Sequence, residues 1–445
     1  MSLRSQSDPY IIGIIDRLQR AGYETYLVGG AVRDILLNRK PKDYDISTSA
    51  TPEEVRRVFR DRRTMIIGRR FRLVHLYKGR DITEISTFRK QPQREDQTEC
   101  PKHFDQAPEN MIFRDNEFGS ALDDAFRRDF TVNAIFYDPV HDIVVDHTGL
   151  GLKDLENGIV RTIGNPELRF EEDPVRILRA IKLAGQYGFH MEPATEAAVR
   201  KKMELIHLAS PSRLTLELEK ILKSPYTSQL LRAFHEYGFL AHYLPNLDEV
   251  FDTPQVQYSL ALLDMRCERI CGGLFRTSLS SAIAMLTLPF VELHYGETHE
   301  PGGLWAYYPG IESDMKGLIR DIFHPMCLTH RTTADTVCNL MMQPKLHALK
   351  KFRDMVNRNG YSSARELAII QNILIWNIAD FEERCPVPER MSRPTIRRKR
   401  GRPHQRMSRK DEKDLMQEDE LSATMDSGCE MSPNYEEGGD STAEE

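Results

Sequence analysis

Residues 29–48 read GGAVRDILLNRKPKDYDIST, and the fold is decided by how that stretch is parsed. Thr25–Gly30 (TYLVGG) has the composition of a strand that breaks at Gly29-Gly30, and Ala31–Asn38 (AVRDILLN) reads as a helix. Asp43–Thr48 (DYDIST) reads as a second, short strand. Residues i and i+2 of a strand point to the same side, so Asp43 and Asp45 are expected to present two carboxylates to one face. Transfer of phosphoryl or nucleotidyl groups needs divalent metals held by carboxylates a few ångströms apart. An isolated pair of this kind is equally the solvated end of an ordinary strand. Its surroundings decide between the two. Gly29 and Gly30 lie between strand and helix, where bare backbone amides and a helix dipole hold phosphates. Arg33 falls on the first turn of that helix. A third carboxylate, Glu84, sits in Asp81–Phe88 (DITEISTF) on a later strand whose Ile85 faces the opposite way.

Two further runs carry chemistry. Arg127-Arg128-Asp129-Phe130-Thr131-Val132-Asn133 sets two arginines, an acid and an amide among apolar residues. The guanidinium fork suits triphosphate oxygens, and Asn133 suits a ribose, although a structural ion-pair cluster has the same composition. In Phe170–Arg179 (FEEDPVRILR), Pro174 marks the first position of a helix and Asp173 its N-cap. Asp173 and Arg176 are three apart and can meet on one helix face. An acceptor beside a donor complements the amine and ring nitrogen of adenine or of cytosine, whereas guanine and uracil present the reverse pattern. The expected substrate is therefore A, or A and C, selected without a template strand.

Outward from these motifs, the signals divide the 445 residues into four stretches. Residues 1–150 alternate helix and strand. Thr51-Pro52 opens a helix, and Arg72–Phe88 reads as two strands joined by Lys78-Gly79-Arg80-Asp81. Residues 90–115 are polar, with no apolar period, and read as a mobile surface segment. Residues 151–245 and 246–385 show apolar positions three and four apart, the pattern of helices. Residues 386–445 have few apolar side chains and are expected to be disordered. The fold class is thus α+β, a small mixed head followed by an all-helical body and a disordered C-terminus.

The net charge of −6 hides a strong polarity. Residues 411–445 carry about −12, which leaves the rest of the chain about +6. Arg390–Lys410 holds ten basic residues and no acid, among them Arg397, Arg398, Lys399, Arg400 and Arg402. Such an arm suits a polyanion through sequence-independent phosphate contacts. The seven cysteines are scattered and odd in number, with no second pair to complete a zinc site beside Cys267 and Cys271. No apolar run is long enough to span a bilayer, and the amino terminus lacks the apolar core of a signal peptide. A cytoplasmic protein without a membrane partner is expected.

The motifs Gly29–Asp45, Arg128–Ala134 (RDFTVNA), Glu172–Ala180 (EDPVRILRA) and Arg213-Leu214…Glu217…Lys220 resemble, in order, those of class II nucleotidyltransferases, the family of bacterial poly(A) polymerases and CCA-adding tRNA nucleotidyltransferases. The resemblance covers about residues 20–245. It implies a DNA-polymerase-β-like head followed by helical neck, body and tail. It also implies catalytic metals, Mg²⁺ or Mn²⁺ in its place, on Asp43 and Asp45, with Glu84 as third carboxylate. Gly29, Gly30 and Arg33 would hold the triphosphate, and Arg127, Arg128, Asp129 and Asn133 would contact nucleotide. Asp173 and Arg176 would read the base, with Arg179 beside them. Gly68–His75 and Glu84–Arg89 are similar to the poly(A) polymerase branch, although His75-Leu76-Tyr77 and Ser86 depart from its usual wording. The expected reaction is template-independent addition of AMP from ATP to RNA 3′ ends. The rival readings are a CCA-adding enzyme using CTP and ATP, a catalytically silent RNA-binding protein of the same fold, and a nucleotidyltransferase directed at DNA or protein. RNA-decay proteins are compatible partners, and no motif in the chain identifies one.

Overall fold

The structure is a computed structural model. It describes residues 3–68, 72–79, 81–90, 117–296, 299, 305–347, 356, 358–375 and 385, all within the unit formed by residues 1–388. The expected mobile segment, apart from residue 90, and the basic arm with Arg397, Arg398, Lys399, Arg400 and Arg402 lie outside the described residues.

Helix α1 (Pro9–Arg20) is capped by Asp8, whose carboxylate accepts from the Tyr10 amide, and buries Ile11, Ile14, Ile15 and Leu18. It packs on strand β1 (Thr25–Val28), which leads through Gly29 into helix α2 (Gly30–Leu36). Strand β2 (Asp45–Thr48) and helix α3 (Pro52–Val58) follow. Thr51 and Glu54 satisfy each other's backbone amides in a capping box, as the Thr-Pro-Glu-Glu sequence leads one to expect. Strands β3 (Thr64–Ile67), β4 (Leu73–Lys78) and β5 (Asp81–Thr87) form consecutive hairpins. After helix α4 (Ala121–Phe126) come strands β6 (Ile135–Asp138) and β7 (Ile143–Asp146). The seven strands lie in the order β3-β4-β5-β2-β1-β6-β7, antiparallel except for the β2/β5 pair. The sequence reading omits β3, whose four residues alternate poorly after an arginine-rich run.

Register explains why one end of this sheet is acidic. A single row of paired residues runs Phe136, Val28, Asp45, Glu84, His75, Met65 across six strands. The neighbouring row, Leu27, Ile46, Ile85, Val74, belongs to the main core on the other face. On the first face, Phe136 and Val28 are sealed with Phe88, Ala121 and Ala125 under α4. Beyond Val28 the same face turns acidic and meets solvent.

Helix α5 (Gly151–Glu156) and a two-stranded parallel ladder, β8 (Ile159–Val160) with β9 (His190–Met191), join the sheet to the helical region. That ladder interrupts a stretch whose sequence reads as helix alone. Helices α6 (Pro166–Glu172), α7 (Val175–Tyr187), α8 (Pro193–Lys202), α9 (Pro211–Lys223) and α10 (Thr227–Glu236) follow. The chain continues through α11 (Leu240–Tyr243), α12 (Pro245–Glu249), α13 (Pro254–Cys271), α14 (Leu279–Tyr295), α15 (Ile311–Ile322), α16 (His330–His347) and α17 (Tyr361–Ile375). Residues 281–292 of α14 are buried without a break, because it is surrounded by α9, α13, α15, α16 and α17. No helix among the described residues is long and apolar enough to cross a membrane.

The position of helix α7 depends on Gly185. A Cβ there would stand 2.8 Å from the Ala233 Cβ of α10, closer than packed carbons allow. Gly185→Ala is therefore expected to force α7 and α10 apart. It should lower unfolding free energy by about 1–3 kcal/mol, the usual cost of overpacking, read as a reduced urea midpoint at unchanged m-value.

Candidate active site

Strand β2 begins at Asp45, one of the few places where the sequence reading needs correction. Asp43 precedes the strand in a bend, so strand alternation does not align the two carboxylates. Proline at position 41 cannot donate to a ladder, and pairing starts only after Tyr44. Asp43 and Asp45 nevertheless line one cavity of about 410 Å³, together with Gly30, Arg33, Asn133 and Arg179. Its opposite wall comes from Lys182, Gln186 and Tyr187 of α7 and from Glu217 and Lys220 of α9.

The electrostatics of the acidic wall are unfavourable in isolation. Asp45 is exposed at the cavity rim, but the protein crowded around its carboxyl displaces water and raises it above its usual range. Glu84 and Asp43 push it further up, and Arg128 and Arg179 oppose them only in part. Glu84 is the direct register partner of Asp45 and lies 3.4 Å from His75 Nε2. Among the described residues no group of three or more His, Cys, Asp or Glu side chains closes into a metal cage. Oxygen donors carrying mutually repelling charge fit a divalent cation, whose binding would relieve the repulsion.

Gly29 turns the chain at a φ of 72°, and a Cβ there would lie 3.3 Å from an Arg128 guanidinium nitrogen and 3.9 Å from Asp45 Oδ2. Glycine is thus required both by conformation and by the close approach of backbone to the charged groups. Arg33 is nearly buried. It donates to Asn133 Oδ1 at 2.6 Å, to Asp34 Oδ1 at 2.9 Å and to the Tyr187 hydroxyl at 2.6 Å, and stacks on the Tyr187 ring. The Tyr187 hydroxyl in turn donates to Asp34 at 2.7 Å.

Two buried carboxylates organise the remaining arginines. Asp124 receives Arg127 at 2.9 Å and Arg128 at 2.8 Å, and Arg128 also reaches Ser47 Oγ at 3.3 Å. Asp129 accepts from the Phe130 amide and from Asn133 Nδ2, and pairs with Arg179 at 2.9 Å. Burial alone would raise both carboxyls. The flanking arginines, with Asn133 at Asp129, outweigh it and hold each below the usual range. Groups depressed in this way stabilise the fold above their unfolded-state pKa and lose that contribution as pH falls through the folded value.

Asp173 and Arg176 are placed differently from the sequence expectation. The side chains do not meet. Both oxygens of Asp173 are held by Arg213, at 2.9 and 2.7 Å, and one also accepts from the Val175 amide. Arg176 donates to Glu172 at 2.8 Å and to the Arg169 carbonyl at 2.9 Å. With a carboxylate available on the preceding turn, Arg176 takes it. The residues that sequence reasoning missed are Lys182, Gln186 and Tyr187. Burial lowers the Lys182 ammonium pKa, against the nearby Glu217. Arg176, Arg179, Lys182 and Gln186 recur every three or four residues opposite Ile177, Leu178, Ile181 and Ala184, so the polar stripe was present in the periodicity. A larger cavity, about 590 Å³, lies between α15 and α16 beside Trp305, Cys338 and Met341, but it has no acid pair.

With this geometry in hand, comparison with known proteins is specific. Residues 25–161 match the family model described as the poly A polymerase head domain, and residues 188–251 match one described as a probable RNA and SrmB-binding site of polymerase A. Poly(A) polymerase I of Salmonella typhimurium is 33% identical over 430 residues, 89% of each chain. A CCA-adding enzyme of a Geobacillus species is 38% identical over 260 residues, covering 58% of this chain and 60% of its own. Among solved structures, the Bacillus stearothermophilus CCA-adding enzyme in complex with CTP superposes with a TM-score of 0.56 at 23% identity. That superposition covers 85% of this chain and 82% of the other, a likeness of fold.

The repulsion around Asp45 has a measurable consequence. Its ionised form is disfavoured by folding, a penalty that is fully present above the folded-state pKa and fades as pH falls through it. Asp45→Asn is therefore expected to raise Tm at alkaline and neutral pH, and the gain should shrink as pH falls below the folded-state pKa. A lowered Tm would refute the electrostatic reading.

Proposed function

The chain belongs to the nucleotidyltransferase family of poly(A) polymerases and CCA-adding enzymes, and from that premise we propose that it adds AMP from ATP to RNA 3′ ends. The observation that carries this reading is the single cavity between Asp43 and Asp45 on one side and the cationic face of α7 on the other. It supplies acid for metal-assisted chemistry and positive charge for a triphosphate within one enclosure. The poly(A) polymerase relative matches along 89% of the chain and the CCA-adding one along 58%, which favours the first branch.

In the reaction, the RNA 3′-hydroxyl oxygen attacks the α-phosphorus of ATP, the bond to the bridging oxygen breaks, and pyrophosphate leaves. Asp43 and Asp45 would hold Mg²⁺, with Glu84 beside them, and the ion would supply a lowered hydroxyl pKa and charge neutralisation on the phosphates. Gly29 and Gly30 let the triphosphate approach the backbone. Arg33 keeps Asn133 oriented toward the cavity, and Arg128, anchored by Asp124, offsets phosphate charge next to Asp45. Arg179 and Lys182 face the carboxylates from α7 and receive the leaving pyrophosphate. Arg127, on the same Asp124 anchor, fixes the loop that carries Arg128 and Asp129.

Asp173 and Arg176 select adenine in this reading. Arg213 must then give up one Asp173 oxygen to the adenine amine, so base recognition is coupled to a rearrangement of the α7 and α9 ends. The protein acts away from membranes, in the cytoplasm. The basic residues Arg397, Arg398, Lys399, Arg400 and Arg402 add sequence-independent RNA contacts.

The test is incorporation by purified protein on a generic RNA oligonucleotide with Mg²⁺, supplied with ATP or CTP separately. Long adenylate tails are expected, with Asp43→Ala reducing the rate by at least ~10³-fold, as loss of a metal-holding carboxylate removes several kcal/mol of transition-state stabilisation. Completion of tRNA ends alone would establish the CCA-adding reading instead. Inactivity with both nucleotides would establish the RNA-binding one.

A further inference from the structure

Five arginines, at positions 56, 57, 60, 62 and 63, occupy eight residues at the end of α3 and the approach to β3, and all five are exposed. They line one open groove of about 700 Å³. A helix C-terminus favours basic side chains through its dipole, which accounts for Arg56 and Arg57 in the last turn of α3. It does not account for the three that lie beyond the helix. Nor do neighbouring acids. Asp61 is held by Arg17 at 2.6 Å, Glu53 pairs with Arg72, and Glu54 is occupied by the Thr51 cap, leaving Arg57 at 3.9 Å. Among the described residues, Arg56 and Arg60 have no ion-pair partner, so the groove carries surplus positive charge.

The cations are also set in place. Arg63 lies over the Tyr77 ring at 4.8 Å, Arg62 over Tyr10 at 5.4 Å, and Lys78 over the same Tyr10 at 4.1 Å. Rings beneath the charges limit their motion and lower the entropy lost when a polyanion binds. The groove borders β3 at Thr64, the edge strand of the sheet that carries the acidic pair. The row Asp45, Glu84, His75, Met65 leads from the carboxylates to β3, the edge strand next to Arg63. Three strand spacings make that span roughly 14 Å, a few nucleotides of extended RNA. On that face Met65, Ile67 and Ile82 are exposed and Tyr77 is half-buried, a surface suited to unstacked bases without hydrogen-bond readout.

We propose that the groove formed by Arg56, Arg60 and Arg63 with their neighbours binds the single-stranded RNA upstream of its reacting 3′ end, through phosphates and without sequence preference. This rests on the function proposed above. It places an RNA path on the edge of the head, on elements other than the helices that follow it.

The experiment compares full-length protein with the triple variants R56Q/R60Q/R63Q and R56K/R60K/R63K. RNA affinity is measured without nucleotide over a range of salt, and elongation is measured on a short oligoadenylate and on a longer single strand. Each lost phosphate contact should flatten the slope of log affinity against log salt by about 0.7. The glutamine variant should therefore lose about 2 from the slope and bind the longer RNA roughly tenfold more weakly at low salt. Its KM for the longer RNA should rise while kcat on the short primer stays that of the wild type, and the lysine variant should keep wild-type binding. An unchanged slope and affinity would overturn the proposal and leave the groove to an acidic protein surface. Equal loss in the lysine variant would also overturn it, because packing rather than charge would then be responsible. Failure of the wild type to extend either primer would count against the proposed function, whereas wild-type extension with an unaffected glutamine variant counts against the groove alone.

Discussion

The site depends on one interaction, the ion pair between Asp129 and Arg179. Asp129 sits in the loop between α4 and β6, and Arg179 on the helix that forms the opposite wall of the cavity. Burying a carboxylate is costly unless it is paired and hydrogen-bonded, and Asp129 meets both conditions through Arg179, Asn133 and the Phe130 amide. That requirement draws α7 against the head. The same side chain also fixes Asn133, which Arg33 needs, and Arg33 binds Tyr187 back on α7. Head and helix are thus joined twice around the cavity, once on each side of Asn133.

This arrangement explains why the acidic wall tolerates its own repulsion. Asp43 and Asp45 line a cavity shared with Arg179 and Lys182, and at Asp45 the charges of Arg128 and Arg179 offset burial, Glu84 and Asp43 incompletely. Complete neutralisation by protein groups would leave nothing for a substrate to gain. The cations are held by Asp124, Asp129 and Glu217, so they do not collapse onto Asp43 and Asp45. Preorganised charge of this kind avoids reorganisation during reaction.

Much of this was legible in the sequence, for local reasons. Gly29-Gly30 after an apolar strand, Thr51-Pro52 before acids, and the alternation around Glu84 each fix a conformation within a few residues. The α+β division and the convergence of Gly30, Arg33, Asp43, Asp45, Asn133 and Arg179 on one cavity follow that reading. What sequence did not show is long-range or competitive. Tyr187 meets Asp34 across 153 positions, and no local pattern announces that. Arg176 chose Glu172 over Asp173, and Arg213 filled the vacancy, a competition among several salt-bridge partners that spacing alone does not resolve. Asp43 left the strand because ladder pairing begins only at Asp45. The stripe Arg176, Arg179, Lys182, Gln186 was readable by helical period, but period alone does not say that its last members face a cavity.

The most direct test of the account is a crystal structure of the full chain with Mg²⁺ and a non-hydrolysable ATP analogue. The triphosphate should lie between Gly29-Gly30 and the Arg179–Lys182 face of α7, with the metal on Asp43 and Asp45 and the adenine against Asp173 and Arg176, Arg213 having moved aside. A nucleotide bound elsewhere, for example in the Trp305 cavity, with Asp43 and Asp45 free of metal, would contradict it.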